Sequence, residues 1–237
     1  MDANKKFLNL VKNKRIAIVG PSPHLIGSEA GKVIDQYDLV CRVNDIIPAE
    51  DLRKDYGSKT DIMFHNLGTD WMNGLKDKIK NNKIHWNNLK MVVCPTIKAI
   101  GPQNDYLSWP DDYVSDVENN FNSINDCDIP FYWIGVKNYK ELWHKFGTEP
   151  NCGMLAVMML SIYPIKELLV TGFSFYSQGS SKKDLVYYRN HRSNKIKDSE
   201  DYGGGHLQEP QKKVFKTLLS TDERIKIDSY LQKLLYS

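Results

Sequence analysis

The chain carries near its start the stretch Arg15-Ile16-Ala17-Ile18-Val19-Gly20-Pro21-Ser22. This is an apolar run rich in β-branched residues that ends in a glycine turn, and it is typical of a buried strand. Glycine lets the backbone approach a ligand closely, and a helix that follows can offer free N–H groups to a phosphate or sugar oxygen. The Gly-x-Gly-x-x-Gly spacing of dinucleotide-binding folds is absent. Taken alone, the turn is equally typical of one that binds nothing.

Similar apolar runs recur along the chain with amphipathic segments between them. Strands are predicted over Arg15–Val19, Asp38–Val43, Asp61–Phe64, Lys90–Cys94, Phe131–Gly135, Glu167–Thr171 and Arg224–Ile227. Helices are predicted over Ser28–Tyr37, Trp71–Lys80, Asn138–Phe146, Cys152–Tyr163 and Pro210–Leu219. The alternation predicts an α/β, Rossmann-like fold with a mostly parallel sheet flanked by helices. In such sheets ligands bind beyond the carboxyl ends of the strands.

The length of 237 residues fits a single domain spanning residues 1–237. Two regions break the alternation of strands and helices. Residues 95–130 are rich in Asn, Asp, Pro and aromatic side chains, which indicates an insertion packed on the domain. Residues 177–205 form a long polar stretch that ends in three glycines, which is typical of a mobile lid.

Composition excludes several classes of protein. The net charge of +3 is too small to favour nucleic acid as a partner. The sequence contains no run of eighteen apolar residues, so no membrane span is predicted. Its charged N-terminal stretch is unlike a secretory signal. The cysteines Cys41, Cys94 and Cys152 lie in apolar or motif segments without Cys-x-x-Cys spacing, as buried free thiols do. We therefore expect a cytoplasmic protein.

Four further stretches follow the first turn in order. They are Ile34-Asp35-Gln36-Tyr37-Asp38-Leu39-Val40-Cys41-Arg42-Val43-Asn44, Asp55-Tyr56-Gly57-Ser58-Lys59-Thr60, Glu149-Pro150-Asn151-Cys152-Gly153-Met154-Leu155 and Leu168-Leu169-Val170-Thr171-Gly172-Phe173. With the first strand and turn, they resemble the large sialyl motif, the Asp-Val-Gly-Ser-Lys-Thr segment, the small sialyl motif and the Tyr-Gly-Phe step of eukaryotic-type sialyltransferases, glycosyltransferase family 29. The resemblance covers residues 15–219.

A second resemblance points to the same chemistry. Residues 171–181, Thr-Gly-Phe-Ser-Phe-Tyr-Ser-Gln-Gly-Ser-Ser, are similar to the Gly-x-Asp-Phe-Tyr-x-x-Gly-Ser-Ser run of the bacterial sialyltransferases of family 42. Both families use CMP-sialic acid on related α/β folds. The resemblance therefore implies the sialyltransferase variant of the GT-A fold and a CMP-activated acidic sugar as donor.

The resemblance also implies roles for individual residues. Glycine, serine and asparagine at 20, 22 and 44 would line the nucleotide pocket, Asn66 would face the donor sugar, and residues 151–153 at a helix start would meet its carboxylate. The full donor-binding set is Gly20, Pro21, Ser22, Asn44, Asn66, Asn151, Cys152, Gly153, Phe173, Tyr176, Lys182 and Tyr188.

Three positions depart from the family patterns. Pro21 stands where both families place an asparagine that contacts cytidine, and Asn151-Cys152 replaces a Ser-Thr pair. Ile16 stands where family 29 has one cysteine of a disulfide that joins its motifs, so this chain should fold without that disulfide.

The leaving group explains why no metal or other cofactor is expected. A CMP-sugar releases a monophosphate, whose charge hydroxyl and cationic groups can stabilise. Tyr176 matches a tyrosine of family 42 that contacts the phosphate, and Lys182 stands where that family has a second. Tyr187-Tyr188 resembles the paired aromatic motif of family 29, which makes Tyr188 a further candidate. Asp126-Cys127-Asp128 has the letters of a metal-binding Asp-x-Asp but follows a polar loop rather than a strand.

His206 is the predicted catalytic residue. It follows the triple glycine and precedes Pro210, which we predict as the first residue of a helix. Both families place a histidine base before such a helix. The pKa of an unperturbed imidazole is near neutrality, so His206 can accept a proton from the acceptor hydroxyl in an inverting displacement. Whether Glu209 orients the ring stays open, and His24 and His191 are weaker candidates near the site.

The acceptor would be a glycan or glycolipid, whose identity and linkage the sequence leaves open, as it does the oligomeric state. One alternative keeps the fold and changes the donor to CMP-Kdo. Another is a non-catalytic nucleotide- or glycan-binding module. A third, a membrane-peripheral scaffold, rests on the basic stretch Arg224–Leu235, which is more typical of a solvated strand and helix. At most peripheral membrane contact is therefore expected.

Overall fold

The protein is described from a computed structural model. The structure describes residues 2–44, 47–67, 75–77, 79, 86–97, 108–113, 117–175 and 207–237. Seven strands form one parallel sheet in the spatial order β5-β4-β3-β2-β1-β6-β7. The strands are β1 (Arg15–Val19), β2 (Leu39–Val43), β3 (Ile62–Phe64), β4 (Met91–Cys94), β5 (Phe131–Trp133), β6 (Glu167–Thr171) and β7 (Ile225–Ile227).

Helices connect the strands. The described helices are α1 (Ala3–Val11), α2 (Gly31–Asp35), α3 (Arg53–Tyr56), α4 (Val117–Asn122), α5 (Val136–Phe146), α6 (Cys152–Ile162), α7 (Gln208–Thr221) and α8 (Ser229–Tyr236). Short 3-10 turns lie at Pro23–Leu25 and Glu50–Leu52. Among the described residues, no helix combines the length and apolar character needed to cross a membrane.

The chain reverses its direction of travel across the sheet at β1. Val19, at the end of β1, lies opposite Arg42 of β2 on one side and Thr171 of β6 on the other. The sequence runs outward from β1 to β5 and then returns to β6 and β7 on the opposite side. This is a topological switch point, where the loops after two neighbouring strands separate and leave a crevice for a ligand.

Helix α6 is the central packing element of the sheet. Its sequence, CGMLAVMMLSI, carries no charged residue, and residues 153–161 are buried. A helix that is apolar all round belongs inside a protein. It packs against β2, β3 and β6, so its first residues are held near the carboxyl edge of the sheet.

The predicted α/β, Rossmann-like fold is confirmed, and each of the seven predicted strands is present with ends that differ by at most two residues. The helix predicted over Ser28–Tyr37 is shorter, because Glu29 has a left-handed backbone (φ 54°) that a helix does not allow. Helix α7 begins at Gln208, so Pro210 is its third residue rather than its first. Proline is tolerated there because N–H groups of the first turn have no intrahelical acceptor.

Three helices were not predicted, α1, α3 and α4, and α8 was expected only as part of the basic stretch Arg224–Leu235. Helix α4 belongs to the proposed insertion at residues 95–130, and its Phe121 ring stacks on Phe131 at the start of β5 with centroids 4.9 Å apart. The described part of this segment therefore contributes to the core. The predicted lid, residues 177–205, and most of the helix predicted over Trp71–Lys80 lie outside the described residues.

Candidate active site

Two glycine loops cross in contact at the switch point. A Cβ atom on Gly20 would lie 2.4 Å from the carbonyl oxygen of Gly172, and one on Gly172 would lie 2.3 Å from that of Gly20. The Gly20 N–H donates to the Thr171 carbonyl and the Ser22 N–H to the Gly172 carbonyl, each over 2.8 Å. The turn after β1 is thus fixed on the turn after β6, and both positions require glycine.

The start of helix α6 joins this crossing. A Cβ atom on Gly153 would lie 2.7 Å from Cε1 of Phe173, so the helix start packs on the residue after Gly172. The Cys152 thiol is 3.5 Å from the carbonyl oxygen of Phe64, and the Asn44 N–H donates to that same oxygen over 2.6 Å. Loops after β1, β2, β3 and β6 therefore meet the first turn of α6 at one edge.

Asn44 has two features that contact with a ligand would explain. Its backbone is left-handed, with φ 56°, and its Oδ1 atom is buried without a hydrogen-bond donor among the described residues. An unsatisfied buried oxygen is uncommon and calls for an explanation such as a ligand donor. Asn66 follows β3 at the same edge and is half-buried, with its carbonyl oxygen 3.8 Å from the Cys94 thiol.

The start of α7 is tied to the start of α6 by Gln211. This fully buried side chain accepts a hydrogen bond from the Asn151 N–H over 3.1 Å and donates one to the Leu207 carbonyl over 2.9 Å. Leu207 is the residue directly after His206 in the chain. The exposed Glu209 carboxylate pairs with Lys212 at 2.5 Å.

The structure does not describe four of the predicted site residues. His206, Tyr176, Lys182 and Tyr188 lie outside the described residues. The other predicted donor-binding residues, from Gly20 to Phe173, all lie in the loops after β1, β2, β3 and β6 or in the first turn of α6. Their grouping agrees with the sequence prediction, while the role of each stays a prediction.

A side-chain network beside the glycine crossing was not predicted from the sequence. His24 lies between Ser22 and Asp228, with Nδ1 2.9 Å from Ser22 Oγ and Nε2 3.0 Å from Asp228 Oδ2. The same Oδ2 accepts hydrogen bonds from Thr171 Oγ1 over 2.8 Å and from the Gly172 N–H over 3.1 Å. Sequence reasoning named His24 as a possible neighbour of the site but gave no reason to consider Asp228.

Asp228 is held as a carboxylate. Burial would raise its pKa, but hydrogen bonds donated by His24, by the Leu231 N–H and by Thr171 hold the pKa below the ordinary value. One signal for this residue was available in the sequence. It directly follows the last strand and precedes a helix, so it is both a helix cap and a residue of the carboxyl edge.

The Asp-x-Asp letters at residues 126–128 do not lie in this site. They precede β5, which places them at the amino edge of a parallel sheet, opposite the glycine crossing. In the described part of the chain, no three His, Cys, Asp or Glu side chains group as metal ligands would. Metal independence stays a prediction.

Comparison with known proteins shows that the chain is similar to sialyltransferases in sequence and in fold. Residues 4–100 match the model of glycosyltransferase family 29 (sialyltransferase). The chain is 24% identical over 241 residues to the CMP-N-acetylneuraminate-beta-1,4-galactoside alpha-2,3-sialyltransferases of Homo sapiens and Pan troglodytes. That alignment covers 91% of this chain and 58% of each relative, so the chain spans little more than half the length of these curated relatives.

Solved structures with the same fold include the sialyltransferase CstII from Campylobacter jejuni, determined with the substrate analogue CMP-3FNeuAc. It aligns with a TM-score of 0.53 and 17% identity over 94% of this chain and 85% of CstII. A mammalian sialyltransferase aligns with a TM-score of 0.48 and 20% identity, over 96% and 78% of the two chains. The CstII alignment confirms the sialyltransferase variant of the GT-A fold that the sequence predicted.

Proposed function

We propose that this protein transfers a sialic acid from CMP-sialic acid to a hydroxyl group of a glycan or glycolipid acceptor. The transfer inverts the anomeric centre, needs no metal and uses His206 as general base. The observation that carries the proposal is the meeting of the Gly20 turn, Asn44 and the first turn of α6 at the switch point of the sheet. The family 29 match over residues 4–100 and the shared fold with CstII support the donor class.

The site offers separate contacts to the two ends of such a donor. The glycine crossing fixes the turn after β1, and the nucleotide would bind beside Ser22 and the unsatisfied Oδ1 of Asn44. The first turn of α6 suits the sugar carboxylate. The Asn151 side chain caps this turn by accepting a hydrogen bond from the Met154 N–H over 2.9 Å, and the N-terminus of a helix favours an anion.

The base would act from the segment before α7. Gln211 links Leu207 to Asn151, which supports a position for His206 close to the sugar end of the site. A neutral imidazole there removes the proton from the acceptor hydroxyl as that oxygen attacks the anomeric carbon. The CMP phosphate departs from the opposite face and carries the electron pair of the broken bond.

The His206→Ala variant tests this role. Its transfer from CMP-sialic acid to a β-galactoside acceptor, measured as CMP release and as sialylated product, should fall by about 10²- to 10⁴-fold. CMP affinity measured by calorimetry should persist, because the nucleotide contacts lie elsewhere. His144→Ala, which changes an exposed histidine on α5, is the matched control and should behave as wild type. Unchanged turnover in His206→Ala would refute the base.

CMP-Kdo is the second candidate donor, which two departures from the family patterns leave open. Pro21 supplies neither an N–H nor an amide side chain to cytidine, and Asn151-Cys152 supplies no hydroxyl to the sugar carboxylate. The same CMP-release assay run with both donors separates the candidates. Release from CMP-Kdo alone would change the assigned donor while leaving the proposed fold and base intact.

A further inference from the structure

A continuous chain of hydrogen bonds joins the loop after β7 to the turn after β1. It runs from Asp228 through His24 to Ser22. All three are largely buried, with the His24 side chain 6% and the Asp228 side chain 17% exposed. Tyr230 of α8 stacks on the imidazole with ring centroids 4.2 Å apart. Ser22 and His24 follow β1 and Asp228 follows β7, while Asp228 also accepts hydrogen bonds from Thr171 and Gly172 at the end of β6, so the chain lies beside the switch point.

The position of each proton follows from the carboxylate. Because Asp228 is ionised and accepts from His24, the imidazole carries a proton on Nε2. In the neutral ring Nδ1 is then an acceptor, and the Ser22 hydroxyl must donate to it. In this state the Ser22 oxygen presents only lone pairs to any other partner, which is the wrong polarity for a phosphate.

The backbone of Ser22 is fixed independently of its hydroxyl. Its N–H donates to the Gly172 carbonyl over 2.8 Å, and its carbonyl accepts from the Tyr56 hydroxyl over 2.7 Å. With its backbone held, Ser22 can still change the direction of its hydroxyl proton. That direction depends on whether His24 Nδ1 carries a proton. Among the described residues, the titratable groups seen in contact with the His24 ring are Asp228, from the loop after β7, and Tyr230, from α8.

We propose that Asp228 and His24 form a proton relay that redirects the Ser22 hydroxyl: it donates to His24 in the free protein and to the phosphate when a CMP ligand binds beside it. One proton from solvent adds to His24 Nδ1, which then donates to Ser22 Oγ. The Ser22 proton turns to a phosphate oxygen, while Nε2–H stays on Asp228. His24 and Asp228 are positioning residues in this scheme, and Ser22 alone contacts the ligand.

The relay rests on the proposed function, since it requires CMP at the turn after β1. It also favours the products of transfer over the donor. The phosphate carries one negative charge as the diester of the sugar donor and two once it leaves as CMP. An imidazolium two hydrogen bonds away stabilises the second charge more than the first, so the relay assists departure without a metal.

Calorimetric titration of CMP in two buffers of different ionisation enthalpy counts the protons taken up. At about pH 8 the CMP phosphate is ionised, so a proton taken up on binding must be bound by the protein. Wild type should take up as much as one proton per CMP bound, and none with cytidine, which has no phosphate. His24→Gln and Ser22→Ala should each bind CMP about tenfold more weakly and with no uptake.

The matched control is His144→Gln, which should show the same uptake as wild type. Thermal unfolding of each variant checks that it is folded before titration. CMP binding by wild type without proton uptake, or uptake that persists in Ser22→Ala, would overturn the relay and leave the proposed function intact. Absence of CMP binding by folded wild type would overturn the proposed function, and the relay with it.

Discussion

At the residue scale, the glycine crossing shows how two positions far apart in the chain share one constraint. Gly20 and Gly172 place their backbones closer together than any side chain allows, and Gly172 also has φ 74°. A left-handed backbone alone costs an ordinary residue about 1–2 kcal/mol. A Cβ atom at Gly172 would add a clash with a carbonyl oxygen that cannot move without breaking the turn after β1.

Gly172→Ala should therefore lower the free energy of unfolding by more than about 2 kcal/mol, because it combines backbone strain with the clash. Gly27→Ala is the matched control, since Gly27 has φ 81° but its Cβ would meet no atom within 4 Å. That variant should lose only about 1–2 kcal/mol. Urea unfolding measures both, and equal losses at the two positions would contradict the crossing.

These residues differ in how far the sequence could predict them. Gly20 was recognisable because a glycine directly after an apolar strand is a local pattern. The contact of His24 with Asp228 joins residues 204 positions apart and has no local signature. Polar contacts of this kind depend on strand order, which one sequence does not contain, and therefore the network was missed.

At the element scale, the site depends on how two helix starts meet. Helix α6 could be predicted almost to the residue, because the uncharged run after Asn151 is unmistakable and asparagine is a favoured N-cap. The start of α7 was predicted two residues late, because proline suggested a first position that Gln208 occupies. The joint between the helices, Gln211, has no sequence signature, since one glutamine in an amphipathic helix normally faces solvent.

Gln211→Met keeps the side-chain size and removes both hydrogen bonds of that joint. The Asn151 N–H and the Leu207 carbonyl lose their partner, which should cost about 2 kcal/mol of unfolding free energy. Transfer should fall further than CMP affinity, because the segment that carries His206 loses its anchor. Gln232→Met, an exposed position on α8, is the matched control. Wild-type stability and turnover in Gln211→Met would refute the joint.

At the scale of the whole molecule, the alternation of strands and helices was enough to predict a parallel sheet, while its strand order was not. Buried charged side chains are stabilised by hydrogen bonds to backbone groups as well as by ion pairs. The fully buried Arg42 guanidinium donates to the carbonyl groups of Tyr56, Gly57 and Lys59.

All four cysteines are free, and burial raises the pKa of Cys94 to about 12, so its thiol stays protonated. Cytoplasmic location stays a prediction.

Acid should destabilise the fold through carboxylates that hold loops at helix ends. Asp35, at the end of α2, accepts hydrogen bonds from the Ser58 N–H, the Ser58 hydroxyl and the Lys59 N–H. Burial would raise the pKa of Asp35, but these hydrogen bonds hold the pKa below its ordinary value of 3.8. The unfolded chain therefore binds the proton first as pH falls, and the stability that Asp35 contributes is complete above that value and lost below it.

Asp35→Asn should consequently be less stable than wild type at neutral pH, by about 1 kcal/mol because solvent screens this half-buried group. The deficit should shrink as the pH falls below about 4, where wild type has also lost its carboxylate. Urea unfolding from pH 7 to pH 3 measures the two curves, with the exposed Asp112→Asn as matched control. A deficit that stays constant across this range would mean that Asp35 acts through its shape, and the assigned charge effect would be wrong.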